Sequence, residues 1–551
     1  MIFLQILMFI ISIFLLALSI SGYGRLIDIN IKKNFFLDIF LGFIIISLII
    51  TFIHFFSKIN LIISFSIFTF GILIFFYKKN FGEFNYIKRK NIFYLILVLL
   101  FIPIFLSQKY HEDFGYYHLP YAISFIEEKI IFGFANIDTP YVYNSIWLNL
   151  YSIFFLGAQN FNFLTLPSFL FFLSFILFSV HQLLSKNEKV ISDYFLIVTL
   201  FYFILKFTRI SEFGVDFPAV IFSILTIYFF LRFSETNLKK EKSEYFFLVS
   251  IFMIFSILIK LSTIPLLLLP IFLYLKYFQI LKFDIFKLKF FVIYILFITF
   301  FTQQFIYTGC LLFPNNLTCL NVSWLNKDNI NLSNELELVN KSYFSLAKDH
   351  FSPEEYLKNF NWFSFWFKRN FIEILEHLLT IILPVVFFLL SLKNKTYKKF
   401  VFKDKIGLYL FLILGLVFWL NYSPVYRFGT HLFLTLIFIL FINSLMSKEF
   451  SKKLFLFFFI FCVFFSFLKN IVRINKVENI FLGIQKIDNQ YILNEKNVNK
   501  LIKIYQPDIK KNRPINGWQG QLCWNIPFIC TYNKLDINEK NGYLIINRLA
   551  D

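Results

Sequence analysis

Apolar runs of roughly 17 to 24 residues recur along most of the chain, broken by short basic turns and a few longer polar stretches. A helix of that length crosses a hydrocarbon core of about 30 Å. The pattern predicts about fourteen spanning helices, near residues 1–20, 36–55, 60–77, 91–107, 161–184, 190–207, 216–234, 245–259, 262–280, 288–306, 371–392, 406–421, 428–446 and 453–468. The first run lacks a basic leader and an A-x-A cleavage site, so it reads as a helix rather than a signal peptide.

Orientation follows from the short loops. Lys78, Lys79, Lys88, Arg89 and Lys90 crowd one of them, and Lys393, Lys395, Lys398, Lys399, Lys403 and Lys405 another. Lysine and arginine accumulate on the cytoplasmic side, which places residues 108–160, 208–215, 307–370, 422–427 and 469–551 outside. The expected layout is a transmembrane bundle over 1–468, with outer loops 108–160 and 307–370, and an extracytoplasmic tail over 469–551. Within the first loop, YVYNSIWLNLYSIFFLGAQN is too short and polar for a span. It reads as an interfacial helix, with Tyr141, Tyr143 and Trp147 at headgroup depth.

Composition agrees with this reading. Hydrophobic residues make up 58% of the chain and charged residues only 16%, which excludes a soluble enzyme, a disordered protein and a disulfide scaffold. The net charge of +20 would suggest nucleic acid in a soluble protein. Here it follows from the cytoplasmic loops, and no groove-reading motif accompanies it, so the expected surrounding is a lipid bilayer and nucleic acid is not an expected partner. Cys310 and Cys319 share one outer loop, and Cys523 and Cys530 share the tail, so both pairs are disulfide candidates on an oxidising face.

Three outer spots carry candidate chemistry. The first is His111-Glu112-Asp113-Phe114-Gly115-Tyr116-Tyr117-His118. Adjacent carboxylates there can deprotonate an acceptor hydroxyl or hold a divalent cation, while the plainer account has Asp113 capping the next helix. The second is Asp216, which opens a returning helix and is also explained by the helix dipole. The third is Arg427, whose planar fork suits a phosphate. Lys260 is a second cation of the same kind. Snorkelling to headgroups explains either cation taken alone.

A long first outer loop with a carboxylate motif, followed by many spans, resembles the GT-C superfamily of polyprenyl-phosphate-sugar glycosyltransferases. Asp216-Phe217-Pro218, Lys260, Gly309-Cys310-Leu311-Leu312-Phe313-Pro314, Pro424-Val425-Tyr426-Arg427-Phe428-Gly429 and Gln521-Leu522-Cys523-Trp524 to Cys530 are similar to features of these enzymes and of a poorly characterised bacterial subset of them. The resemblance implies an all-α polytopic bundle in the bacterial inner (cytoplasmic) membrane, with its active face outside. It implies Asp113, with Glu112, as the base toward an acceptor hydroxyl. Tyr117, His118, Asp216, Lys260 and Arg427 would bind substrate. The donor would be a polyprenyl-phosphate-linked sugar, the acceptor a glycan, lipid or protein, and the transfer inverting. No Asp-x-Asp motif completes a metal site, so a divalent cation remains an open question. The alternatives are a transporter or flippase for lipid-linked glycans, and an O-antigen-type polymerase or ligase.

Overall fold

The computed structural model describes residues 2–31, 34–78, 90–106, 113–154, 165–185, 188–206, 214–313, 315–325, 332–394, 404–474, 504–505, 529–531 and 533–549. The chain is mostly helical. In order the helices are α1 (Ile2–Gly24), α2 (Phe35–His54), α3 (Leu61–Tyr77), α4 (Lys90–Leu106), α5 (Leu119–Glu127), α6 (Ile146–Phe154), α7 (Leu166–Ser185), α8 (Ile191–Lys206), α9 (Asp216–Glu235) and α10 (Lys239–Ile259). Then come α11 (Leu268–Lys276), α12 (Phe278–Leu281), α13 (Leu288–Thr308), α14 (Leu332–Asn340), α15 (Tyr343–Leu346), α16 (Pro353–Leu357), α17 (Trp362–Ser391), α18 (Lys405–Tyr422), α19 (Thr430–Met446) and α20 (Lys452–Ile474). Among the described residues four short strands follow α20: β1 (Ile504–Tyr505) parallel to β2 (Ile529–Cys530), and the antiparallel hairpin of β3 (Leu535–Lys540) and β4 (Tyr543–Arg548).

Among the described residues eight helices are long and apolar enough to cross a membrane: α2, α7, α9, α10, α13, α17, α18 and α20. The architecture is that of a polytopic helical membrane protein. Of the about fourteen expected crossings, the remainder are shorter or broken. Apolar stretches Phe9–Gly24, Leu61–Tyr77, Ile92–Phe105 and Thr430–Met446 are shorter helices, and α8 has 16 residues. The expected span 262–280 is a 3₁₀ stretch, Leu261–Leu267, running into α11, and the chain then bends by 92° into Phe278–Phe286. Pro265 lies inside that 3₁₀ stretch and Pro270 near the start of α11, and each removes a donor from the helical ladder.

The first loop also departs from expectation. Helix α6 does not lie at an interface: all nine of its residues are buried, with Trp147 fully covered, and it packs against α2, α5 and α7. Tyr141 is buried too, and only Tyr143 remains exposed. A polar network replaces the missing water. The Tyr121 hydroxyl donates to Asn144 (2.7 Å) and Asn149 (3.0 Å), both amides donate to the Gln303 carbonyl oxygen (3.1 Å each), and Asn149 also donates to the Thr51 hydroxyl (2.7 Å). Trp362 and Trp366 of α17 are likewise buried.

Packing is closest at the start of the chain. A Cβ built on Gly42 would stand 1.8 Å from the Ile20 carbonyl oxygen, and one on Gly22 would stand 1.9 Å from that of Gly71. Helices α1, α2 and α3 therefore touch backbone to backbone, which only small residues allow. Helix α8 is central to the remaining bundle, packing on α7, α9, α17, α19 and α20. Its C-terminal end, the N-terminal end of α9 and the α18–α19 turn meet at one end of the bundle.

Candidate functional site

Asp216 is the first residue of α9, Lys260 follows the last residue of α10 in extended conformation, and Arg427 lies in the turn between α18 and α19. Two indoles fix that turn: Trp366 donates to the Pro424 carbonyl (2.7 Å) and Trp419 to the Val425 carbonyl (2.8 Å). The Thr430 hydroxyl then donates to the Arg427 carbonyl at 3.1 Å. Held this way, Arg427 reaches back across the bundle. One Asp216 carboxylate oxygen pairs with the Lys260 ammonium, and the other with Arg427 Nε at 3.0 Å. Lys260 also sits over the Phe428 ring, 3.2 Å from its centroid.

Asp113 begins a π-helical turn, Phe114–His118, which leads into α5. Such turns widen the helix and re-aim its side chains. Pro120 stands in the first turn of α5, where an N–H would go unused. The Tyr117 and His118 rings meet at 4.1 Å. Beside them the Tyr116 hydroxyl donates to Asp138 (3.4 Å), which also accepts from the Thr139 N–H (2.7 Å). Burial raises the Asp138 carboxyl above its ordinary pKa, opposed by these donors and by the charge of Arg548 in the tail.

These pieces converge. Asp113, Tyr117, His118, Asp216, Lys260 and Arg427 all line one cavity of about 210 Å³. The charge of Asp113 is felt at both Asp216 and Lys260. Burial lowers the Lys260 ammonium to about 8, an effect opposed by Asp216 and reinforced by Arg427. Glu112 lies outside the described residues, so its expected partnership with Asp113 has no structural account.

The same cavity has a wall that sequence reasoning missed, made by Tyr202 and Lys206 of α8 and His377 of α17, beside Tyr426 of the motif already named. The Tyr202 hydroxyl meets His377 Nδ1 at 3.0 Å, and the His377 and Tyr426 rings lie 4.0 Å apart. Lys206 pairs with Glu376. The available signal was weak: Lys206 at the end of α8 and the Glu376-His377 pair in the middle of α17, from segments 170 residues apart.

A model of a family described as a domain of unknown function (DUF8201) matches residues 1–434. The chain belongs to the DUF8201 family. Neither a curated protein nor a solved structure matches it. Every cavity residue named above falls inside the DUF8201 match, whereas α20 and the tail fall beyond it.

The disulfide candidates in this DUF8201 chain divide by description. Cys310 and Cys319 are bonded, closing a small loop after α13. Cys530 is disulfide-bonded, and its expected partner Cys523 lies outside the described residues. As for a metal, no group of three or more His, Cys, Asp or Glu side chains gathers among the described residues. Both oxygens of Asp216 are engaged by cations, which leaves the cavity a poor fit for a divalent ion.

Proposed function

We propose that the protein is an inverting glycosyltransferase of the GT-C kind, moving a sugar from a polyprenyl-phosphate carrier to an acceptor hydroxyl on the extracytoplasmic face of a bacterial inner membrane. The observation that carries this reading is the meeting of one carboxylate, Asp113, with two cations, Lys260 and Arg427, around a single cavity at the end of apolar helices. Chemistry of this class needs a base for the acceptor and positive charge for the departing phosphate, held together in a site that excludes water.

In this reading Asp113 takes the proton from the acceptor hydroxyl as its oxygen attacks the anomeric carbon. The bond from that carbon to the phosphate oxygen breaks on the opposite face, and the electron pair leaves with the phosphate. Lys260 and Arg427 receive the charge. Asp216 is a positioning residue that holds the two cations at a common point. Tyr117 and His118 supply a ring surface and a hydrogen-bonding edge for a sugar.

Asp113→Asn tests the proposal. With the full-length protein in nanodiscs and a panel of polyprenyl-phosphate sugars, the variant should bind the lipid as wild type does and transfer nothing measurable. Transfer at the wild-type rate would sink the reading. A second reading, a flippase, draws on the 92° break after α11, because discontinuous helices border transport sites. It predicts lipid movement across vesicles that Asp113→Asn leaves intact.

A further inference from the structure

The π-helical turn Phe114–His118 has Asp113 just before it and Tyr117 and His118 at its end, and these three line the cavity. Tyr116, between them, directs its hydroxyl to Asp138 Oδ1 at 3.4 Å instead. Asp138 is itself fixed from both sides. Its Oδ1 accepts from the Thr139 N–H at 2.7 Å and caps the 3₁₀ turn Thr139–Val142. Just before it, the Ile137 carbonyl accepts from the Thr531 hydroxyl (2.6 Å) and from the Asn533 amide (2.9 Å), both in the tail. That carbonyl and the Asp138 N–H share one rigid peptide plane, so the tail donors set the direction in which the chain enters Asp138.

The tail holds the same segment elsewhere too. The Asn136 amide donates to the Ile546 carbonyl of β4 at 2.8 Å. Strand β2, which ends beside Thr531, packs on α5, the helix that the π-helical turn enters. The charge of Arg548 acts on Asp138, and that of Asp113 reaches the Tyr116 hydroxyl. A π-helical turn is a rare winding that needs support from outside the helix. A general base must also stand within hydrogen-bond reach of the proton it takes.

We propose that the tail is a brace that sets the position of Asp113, acting from Thr531 and Asn533 through Ile137, Asp138 and Tyr116. Asp138 and Tyr116 are positioning residues in this scheme, one step removed from the reacting atoms. The proposal rests on the glycosyltransferase reading and adds to it a dependence on residues beyond the family match, which ends at residue 434.

The full-length protein in nanodiscs tests this by single-turnover transfer with donor saturating, by farnesyl phosphate affinity, and by hydrogen exchange at residues 113–121. Tyr116→Phe, Asp138→Ala, and Thr531→Val combined with Asn533→Ala should each slow transfer by about tenfold, because small misplacements of a catalytic group are costly. Each should speed exchange. Farnesyl phosphate affinity should stay within about twofold of wild type, since Lys260 and Arg427 stand on other elements. Asp138→Asn keeps an acceptor oxygen for Tyr116 and should hold transfer within about threefold of wild type. Tyr116→Phe added to the tail variant should lose no more than the worse of the two, because both cut one line of contacts. Additive losses, a parallel fall in affinity, or unchanged exchange in the tail variant overturns the brace and leaves Asp113 standing as base. If the wild-type protein transfers sugar from no donor, the glycosyltransferase reading falls, and exchange alone decides whether the tail holds the turn.

Discussion

Helix α9 has an ion pair at each end, and the two ends are finished differently. At the Glu235 end the carboxylate is fully used by protein donors: the Ser192 N–H (2.7 Å), the Ser192 hydroxyl (2.8 Å) and Arg232 (3.3 Å). It serves as the acceptor that caps α8, and both pair members are about a tenth exposed. At the Asp216 end the pairing is just as close, yet Asp216 and Arg427 remain 26% and 31% exposed because they border a cavity. The ingredients are the same. What separates a fastening from a candidate site is leftover space beside the charges, not the presence of an ion pair.

The sharpest way to break this comparison is at the base. Asp113→Asn should cut transfer by at least about a hundredfold, the low end for loss of a general base, measured as single-turnover rate with donor saturating. Next comes an exchange of roles between the ends. Arg427→Gln should weaken lipid-phosphate binding by about tenfold or more, the worth of a charged hydrogen bond, with little change in melting temperature. Glu235→Gln should do the reverse. It should destabilise by about 3 kcal/mol, because Arg232 is left buried without its partner, while binding affinity stays near wild type. If the two variants give the same pattern, the distinction between the ends fails.

A smaller effect follows from Lys260. Its folded pKa lies near 8, so the cation is present below that pH and is lost above it. Affinity for a phosphate probe should therefore fall as pH rises from 7 to 9, by up to about tenfold, and Lys260→Arg should flatten the profile. The smallest expected effect is that of Tyr202→Phe. Loss of the hydroxyl that meets His377 should cost about two- to fivefold in affinity, the range of one neutral hydrogen bond, with His377 retained in place.

Much of the site was readable from the chain because its residues are polar interruptions in an apolar background. Asp113, Asp216, Lys260 and Arg427 stand at helix ends where burial of a charge demands a reason. Their meeting was not readable, since it depends on how α9, α10 and the α18–α19 turn pack. Tyr202 and His377 were missed for the same cause: Tyr202 is a polar residue within an apolar run, His377 follows Glu376 in an ordinary helical stretch, and the α8–α17 contact brings the two together. Helix α6 was placed at an interface because the asparagines and tyrosines of the stretch from Tyr141 to Tyr151 read as wet. Gln303 of α13 and Thr51 of α2 satisfy them instead, from 154 and 98 residues away. The span expected over 262–280 is apolar enough but is broken by a 92° bend after Lys276, a change of direction that hydropathy does not encode.

The closing hairpin also bears on how this protein is made. Strand β4 lies against the first loop: the Phe132 N–H donates to the Leu544 carbonyl and the Ile546 N–H to the Phe132 carbonyl, each at 2.9 Å. The Asn136 amide donates to the Ile546 carbonyl across 410 residues of sequence. A ribosome must therefore deliver the chain through Ile546, with α1 to α20 already made, before residues 132–136 acquire these partners. Until then the edge of that loop presents unpaired backbone groups. A nascent chain halted before β4 would carry an unfinished loop that proteolysis can recognise.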